Sequence, residues 1–163
     1  MAGAGKARPA PRVSDALAIR ALSSRDLPAV IRIDTFHTGE AKPAYWKRIF
    51  REFLGGHVGF RVGLAAEQDG HLAGFVLGEV RAFEFGSEPC GWILEIGVDG
   101  RSTRTGVASA LLVEACRRLR ASGVTTIRTM VRRNNVPVLT FFRTNSFAGG
   151  PYVQLELTPD VEL

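Results

Sequence analysis

The segment Gly91-Trp92-Ile93-Leu94-Glu95-Ile96-Gly97-Val98-Asp99, followed by Arg101-Ser102-Thr103-Arg104-Thr105-Gly106-Val107-Ala108-Ser109-Ala110-Leu111-Leu112, decides the reading of this chain. It runs as an apolar strand, a short basic turn carrying hydroxyls and a glycine, then an amphipathic helix. A helix start leaves backbone N–H groups unpaired, and positive charge beside them attracts phosphate. The pattern therefore predicts a phosphate-bearing ligand gripped where the strand ends and the helix begins.

Working outward, Leu17 to Leu22 alternates as a short strand, and Ser23 or Ser24 can cap a helix running to about Asp34. A second helix is predicted from Pro43 to Leu54, ended by Gly55-Gly56. Strands follow at Val58–Glu67 and at His71 to about Phe83, joined by Asp69-Gly70, a strong hairpin signal. Beyond the opening segment, the helix starting at Val107 stops at Gly123. Thr125–Val131 reads as a strand, Val136–Thr144 as a helix and Tyr152–Leu157 as a last strand. The order β α α β β β α β α β implies an α/β fold with a mixed sheet, because hairpins precede a β-α-β unit.

A chain of 163 residues suits one domain, and 45% hydrophobic with 23% charged residues is ordinary for a soluble globular protein. Residues 1–15, rich in Ala, Gly and Pro with Lys6, Arg8 and Arg12, read as a flexible tail, and 16–163 as the domain. The net charge of +5 suits an anionic ligand, but the basic residues are scattered, which argues against nucleic acid. Cys90 and Cys116 form no metal-type spacing with histidine, so no metal is expected, and Cys116 reads as a buried free thiol on the apolar face of the helix. No apolar run approaches the roughly 20 residues that span a bilayer, and the N-terminus lacks a secretory core. A cytoplasmic location is the default expectation.

The element order and the strand-to-helix turn resemble the GNAT superfamily of acyl-CoA-dependent N-acetyltransferases over residues 17–157. The family's phosphate motif, Gln/Arg-x-x-Gly-x-Gly/Ala, aligns with Thr103-Arg104-Thr105-Gly106-Val107-Ala108, where Thr103 replaces the usual first residue. A second block, Asn-x-x-Ala-x-x-Leu/Phe-Tyr-x-x-x-Gly-Phe, aligns with Asn135 to Phe147. Asn135, Phe141 and Phe147 fit, while Val138, Phe142 and Ser146 depart from it. The resemblance implies a single-domain, mixed, mostly antiparallel sheet with helices on both faces and a splayed central strand pair, the strand at 93–98 diverging from that at 127–131. It implies acetyl-CoA as co-substrate, with backbone groups of Ile96 and Val98 pairing with the pantetheine arm. The pyrophosphate would lie on N–H groups from Arg104 through Thr105, Gly106, Val107 and Ala108 to Ser109, with Arg101 and Arg104 supplying charge. Asn135 is either a pantetheine contact or a helix cap, and Phe142 lies at the cofactor position where many members carry tyrosine.

Acetyl transfer to an amine needs a neutral nucleophile, so a base is required. Glu95, mid-strand among apolar residues, is the first candidate, and alternation puts it on the face opposite Leu94 and Ile96. A solvated sheet-face charge is its alternative reading. Glu79 is the reserve, while His37 and His57 read as surface or loop residues. Phenylalanine cannot donate a proton to the departing thiolate. Water, Ser146 or Tyr152 would substitute, or a thiol of pKa near 8.5 leaves unaided. Phe36, Tyr45, Trp46, Phe83 and Phe85 could line an acceptor cleft or pack in the core, and Glu40, Glu84 and Glu88 could attract a cationic amine or stay solvated. The expected acceptor is a small-molecule or peptide amine. The alternatives are a protein lysine or N-terminal acetyltransferase and a non-catalytic acyl-CoA-binding module. A homodimer through sheet edges or C-terminal strands also stays open.

Overall fold

Runs of alternating apolar residues pair into one five-stranded sheet in the computed structural model, which describes residues 17–56 and 59–157. Residues 1–129 and 130–163 form two compact units. The predicted tail, His57, Val58 and the residues after Leu157 lie outside the described residues.

The first unit holds the whole sheet. Strands β1 (Ala18–Ala21), β2 (Arg61–Gln68), β3 (His71–Arg81) and β4 (Cys90–Val98) pair antiparallel in chain order. Strand β5 (Ile127–Arg128) joins β4 in parallel, so the sheet is mixed. Asp69 and Gly70 both adopt positive φ, 52° and 73°, the type I′ geometry that suits a two-residue hairpin. Helices α1 (Leu27–Thr38) and α2 (Pro43–Leu54) cover one face, where Val30, Ile33, Trp46 and Phe50 meet Phe75 and Leu77. Helix α3 (Val107–Ala121) covers the other through Val107, Leu111, Leu112, Ala115 and Leu119. Its close approach needs bare backbone beneath it: a Cβ on Gly74 would stand 3.0 Å from Leu111 and 3.1 Å from Val107. The expectation of helices on both faces holds.

Two boundaries shift for local reasons. Helix α1 continues past Asp34 to Thr38, where left-handed Gly39 closes the last turn by donating its N–H to the Thr35 carbonyl at 2.8 Å. Strand β5 is far shorter than the predicted 125–131. Its ladder with β4 ends at Trp92↔Arg128, and the next open acceptor, the Ile93 carbonyl, is taken by the Thr129 hydroxyl at 3.1 Å. The side-chain bond replaces a ladder bond, and the two strands part there.

The second unit contains α4 (Val136–Thr144), begun as predicted at Pro137 in its first turn. The predicted last strand does not form. Residues 152–157 carry no regular structure, and Val153 and Leu155 are exposed. Alternation alone does not make a strand; the ladder needs a neighbouring edge.

Candidate active site

Strand β4 sets the site, and a bulge sets β4. Gly78 pairs with Ile93 and Leu77 with Glu95, so Leu94 is an extra residue without a counterpart. Unbroken alternation would keep Glu95 on the face of Ile93. Gly91 lies instead under Leu119 of α3, together with Ile93, whereas Gly97 lies under Ile33 of α1 and beside Phe75. Cross-strand partners share a face, so Glu95 stands with Leu77 on the α1/α2 side. The predicted separation of Glu95 from Ile96 holds. Alternation past the bulge gives that separation, and the bulge at Leu94 decides that the carboxylate faces α1 and α2.

Glu95 is half-buried there, and its pKa is raised. Burial is the larger cause, the Asp34 carboxylate adds to it, and Lys42 opposes both. Asp34 is itself buried, accepting from Trp46 Nε1 at 2.8 Å and pairing with Lys42 Nζ at 3.0 Å. Tyr45 completes the group, its phenol raised by burial and by the Glu95 charge. Three segments thus place two carboxylates, an ammonium and a phenol at one point of the sheet face. Nothing in the local sequence sets Asp34 and Lys42 apart from ordinary helix-surface charges; only their nearness to Glu95 of β4 distinguishes them.

Glu79, the reserve base, is spent on ion pairs with Arg81 at 2.8 Å and Arg61 at 3.5 Å. It belongs to a polar cleft of about 450 Å³ between the start of β2 and the end of β3, lined also by Phe60 and Glu84. Arg81 lies over the Trp92 ring at 5.3 Å, and Trp92 Nε1 is buried with no hydrogen-bond partner among the described residues. Of the aromatic candidates, Trp46 is fully buried and is a core residue. Phe36, Tyr45, Phe83 and Phe85 remain exposed, and both phenylalanines of the β3–β4 loop hold positive φ. Glu40, Glu84 and Glu88 are exposed, Glu84 reaching Arg81 at 3.7 Å.

The far edge of β4 follows from one bond. The Asp99 N–H donates to the Ala73 carbonyl at 2.9 Å. In an antiparallel ladder that bond flanks a non-hydrogen-bonded pair, here Gly74↔Val98. The polar groups of Val98, and two residues earlier those of Ile96, therefore point away from β3. These are the two residues expected to offer backbone groups, and they lie beyond the point where β5 leaves the ladder.

After β4 the chain makes a 3-10 turn, Gly100–Ser102, and then an exposed stretch from Thr103 to Gly106. Arg104 and Gly106 both adopt positive φ, 62° and 85°. Gly106 is the N-cap of α3 and brings no side chain, and the first intrahelical bond is Ala110 N–H to its carbonyl. The N–H groups of Val107 and Ala108 thus have no helical partner and open onto the turn. Thr103 and Thr105 spend their hydroxyls on the Gly100 and Ser102 carbonyls, shaping the turn. Arg101 pairs with Asp99 at 2.9 Å in an exposed ion pair, and Arg104 is the other basic residue of the turn. Ser109 lies in the first turn of α3.

In the second unit Asn135 caps α4, its side-chain oxygen accepting from Val138 N–H at 3.3 Å. The capping reading describes its observed bond. Phe142 is buried, with Phe141 and Phe147 each edge-on at 5.1 Å. Ser146 is exposed with φ 68°, standing where the family has glycine. His37, expected as a surface or loop residue, reaches across 61 residues and donates from Nε2 to the Val98 carbonyl at 2.7 Å. No group of residues able to hold a metal ion occurs among the described residues. Nor is any described helix long and apolar enough to cross a membrane.

Comparison with known proteins gives a consistent result. Residues 25–147 match the acetyltransferase (GNAT) family. The aminoglycoside N-acetyltransferase AAC(6')-Iy in complex with CoA superposes with TM-score 0.77 at 17% identity, covering 93% of this chain and 99% of that one. The aminoglycoside 6'-N-acetyltransferase AAC(6')-IG of Acinetobacter haemolyticus gives TM-score 0.74 at 18% identity over 89% and 99%. A transcriptional regulator of Bacillus halodurans C-125 gives TM-score 0.74 at 14% identity over 88% and 99%. No curated protein matches the chain by sequence.

Proposed function

Since the chain belongs to the GNAT acetyltransferase family, we propose that it moves an acetyl group from acetyl-CoA to a primary amine by direct attack, with Glu95 as the base. The observation that carries this is Glu95 itself. It is half-buried, raised in pKa by burial and by Asp34, and turned by the Leu94 bulge to the face of α1 and α2. A carboxylate there accepts a proton from an incoming ammonium more readily than a solvated one does. The Trp46 indole and the Lys42 ammonium fix Asp34, and so keep its charge beside Glu95.

The remaining chemistry fits the same chain. Acetyl-CoA supplies an activated acyl group on a thiol leaving group. Ile96 and Val98 offer backbone groups free of the β3 ladder, and the Val107 and Ala108 N–H groups with Arg104 offer an anion site on the Thr103–Ser109 turn. Phe142 has no proton to give. A thiol of pKa near 8.5 is a tolerable leaving group without help. Small-molecule amines are the favoured acceptors, in keeping with the aminoglycoside acetyltransferases of the same fold. A cytoplasmic location accompanies this reading.

Incubation with acetyl-CoA and a panel of small amines, with free thiol followed, tests the proposal. Glu95→Gln should lower turnover about 100-fold or more and leave CoA affinity within a factor of about two. Equal turnover in the variant removes Glu95 from its role. CoA binding with no thiol release across the panel and across lysine peptides would favour a non-catalytic acyl-CoA-binding module, the reading that Phe142 motivates.

A further inference from the structure

We infer that His37 is a positioning residue for the cofactor edge, holding the last peptide of β4 through its ring nitrogen. The inference rests on the proposal that this edge and the turn after it receive CoA.

Four contacts carry it. His37 Nε2 lies 2.7 Å from the Val98 carbonyl oxygen. A carbonyl only accepts, so Nε2 carries the hydrogen, and both the neutral Nε2–H tautomer and the imidazolium can donate it. The same peptide unit is held on its other side, since its N–H, that of Asp99, donates to the Ala73 carbonyl at 2.9 Å. The two bonds fix the plane of the peptide from which the turn departs. Next, the Phe36 ring lies against Gly100 so closely that a Cβ there would stand 2.8 Å from Cζ, and Phe36 meets the His37 ring edge-on at 5.1 Å.

The geometry gives His37 a consequence beyond stability. Val98 directs its polar groups away from β3, toward the edge where CoA is proposed to pair. One acceptor of that edge is already engaged by His37, so its direction is set before any ligand arrives. Preorganisation of this kind improves affinity by removing the cost of ordering the edge on binding. Because α1 also carries Asp34, the helix that supports the base is tied to the strand end that feeds the phosphate turn.

Calorimetric titration of the full chain with CoA tests this in three proteins: parent, His37→Ala and His37→Gln, whose amide can reach the same carbonyl. His37→Ala should bind CoA about three- to fivefold more weakly, because binding must then order an edge that this hydrogen bond no longer holds. His37→Gln should return to within a factor of about two of the parent. In thiol-release assays the alanine variant should raise the KM for acetyl-CoA and leave kcat nearly unchanged. Alanine binding as tightly as the parent, or glutamine binding as weakly as alanine, overturns the inference. Failure of the parent to bind CoA would instead remove the cofactor reading on which it stands.

Discussion

Replacing Trp46 by phenylalanine probes the bond that holds Asp34 against the α1/α2 face of the sheet. Trp46 is fully buried, and its indole N–H donates to Asp34 Oδ2 at 2.8 Å. A hydrogen bond to a charged group contributes about 1.5–3 kcal/mol. The missing part of the indole leaves a void costing about 1–2 kcal/mol more, although the edge-on contact with Phe75, 5.3 Å between centroids, can persist. The expected loss is about 2.5–5 kcal/mol, which for a chain of this length lowers Tm by roughly 5–20 °C. Urea titrations of Trp46→Phe, Asp34→Ala and the double variant separate the two parts. In the Asp34→Ala background the Trp46 change should cost only the void, leaving a coupling of about 1.5–3 kcal/mol. A cost for Trp46→Phe that is the same in both backgrounds would refute the claim that the indole–carboxylate bond fixes this face.

Gly97→Ala would put a Cβ 2.7 Å from Phe75 and 3.0 Å from Ile33, and overpacking of this kind costs about 1–3 kcal/mol; a melting temperature equal to the parent's would show that α1 does not pack where described. Glu95 has a raised pKa in the folded state, so ionising it costs stability. That cost is absent below the unfolded value of about 4.5 and grows as pH rises toward the folded one. Glu95→Gln should accordingly raise Tm at pH 7 and leave it unchanged at pH 4, and the reverse pattern would contradict the assigned environment. For Asp26, burial favours the neutral form, but hydrogen bonds from Arg20 and Ser23 prevail and hold its pKa below 3.8. Asp26→Asn should cost about 1–3 kcal/mol at neutral pH, a difference that fades as pH falls through the folded pKa of the parent; a penalty independent of pH would exclude the ion pair as its source. Phe142→Tyr should change turnover by less than about tenfold; a far larger gain would show that the chain lacks an effective acid.

Sequence alone determined the parts of this protein that depend on near neighbours. The Asp69-Gly70 turn needs two left-handed residues, α2 starts at Pro43, α3 follows Gly106, and α4 starts behind Asn135; each rests on contacts within a few residues. The same locality made Thr103–Ser109 readable as a basic turn running into a helix start. Tertiary structure decided what depends on partners remote in the chain. The residues of β5 and 152–157 look equally strand-like, yet only Ile127 and Arg128 find an edge to pair with, because a strand exists only in its ladder. Which way Glu95 faces was settled by one unpaired residue opposite Leu77 and Gly78, and a register slip of one reverses a strand's faces. Asp34, Lys42 and His37 acquired their roles only when α1 and the start of α2 packed on β4, since nothing in their local sequence names the strand they would meet.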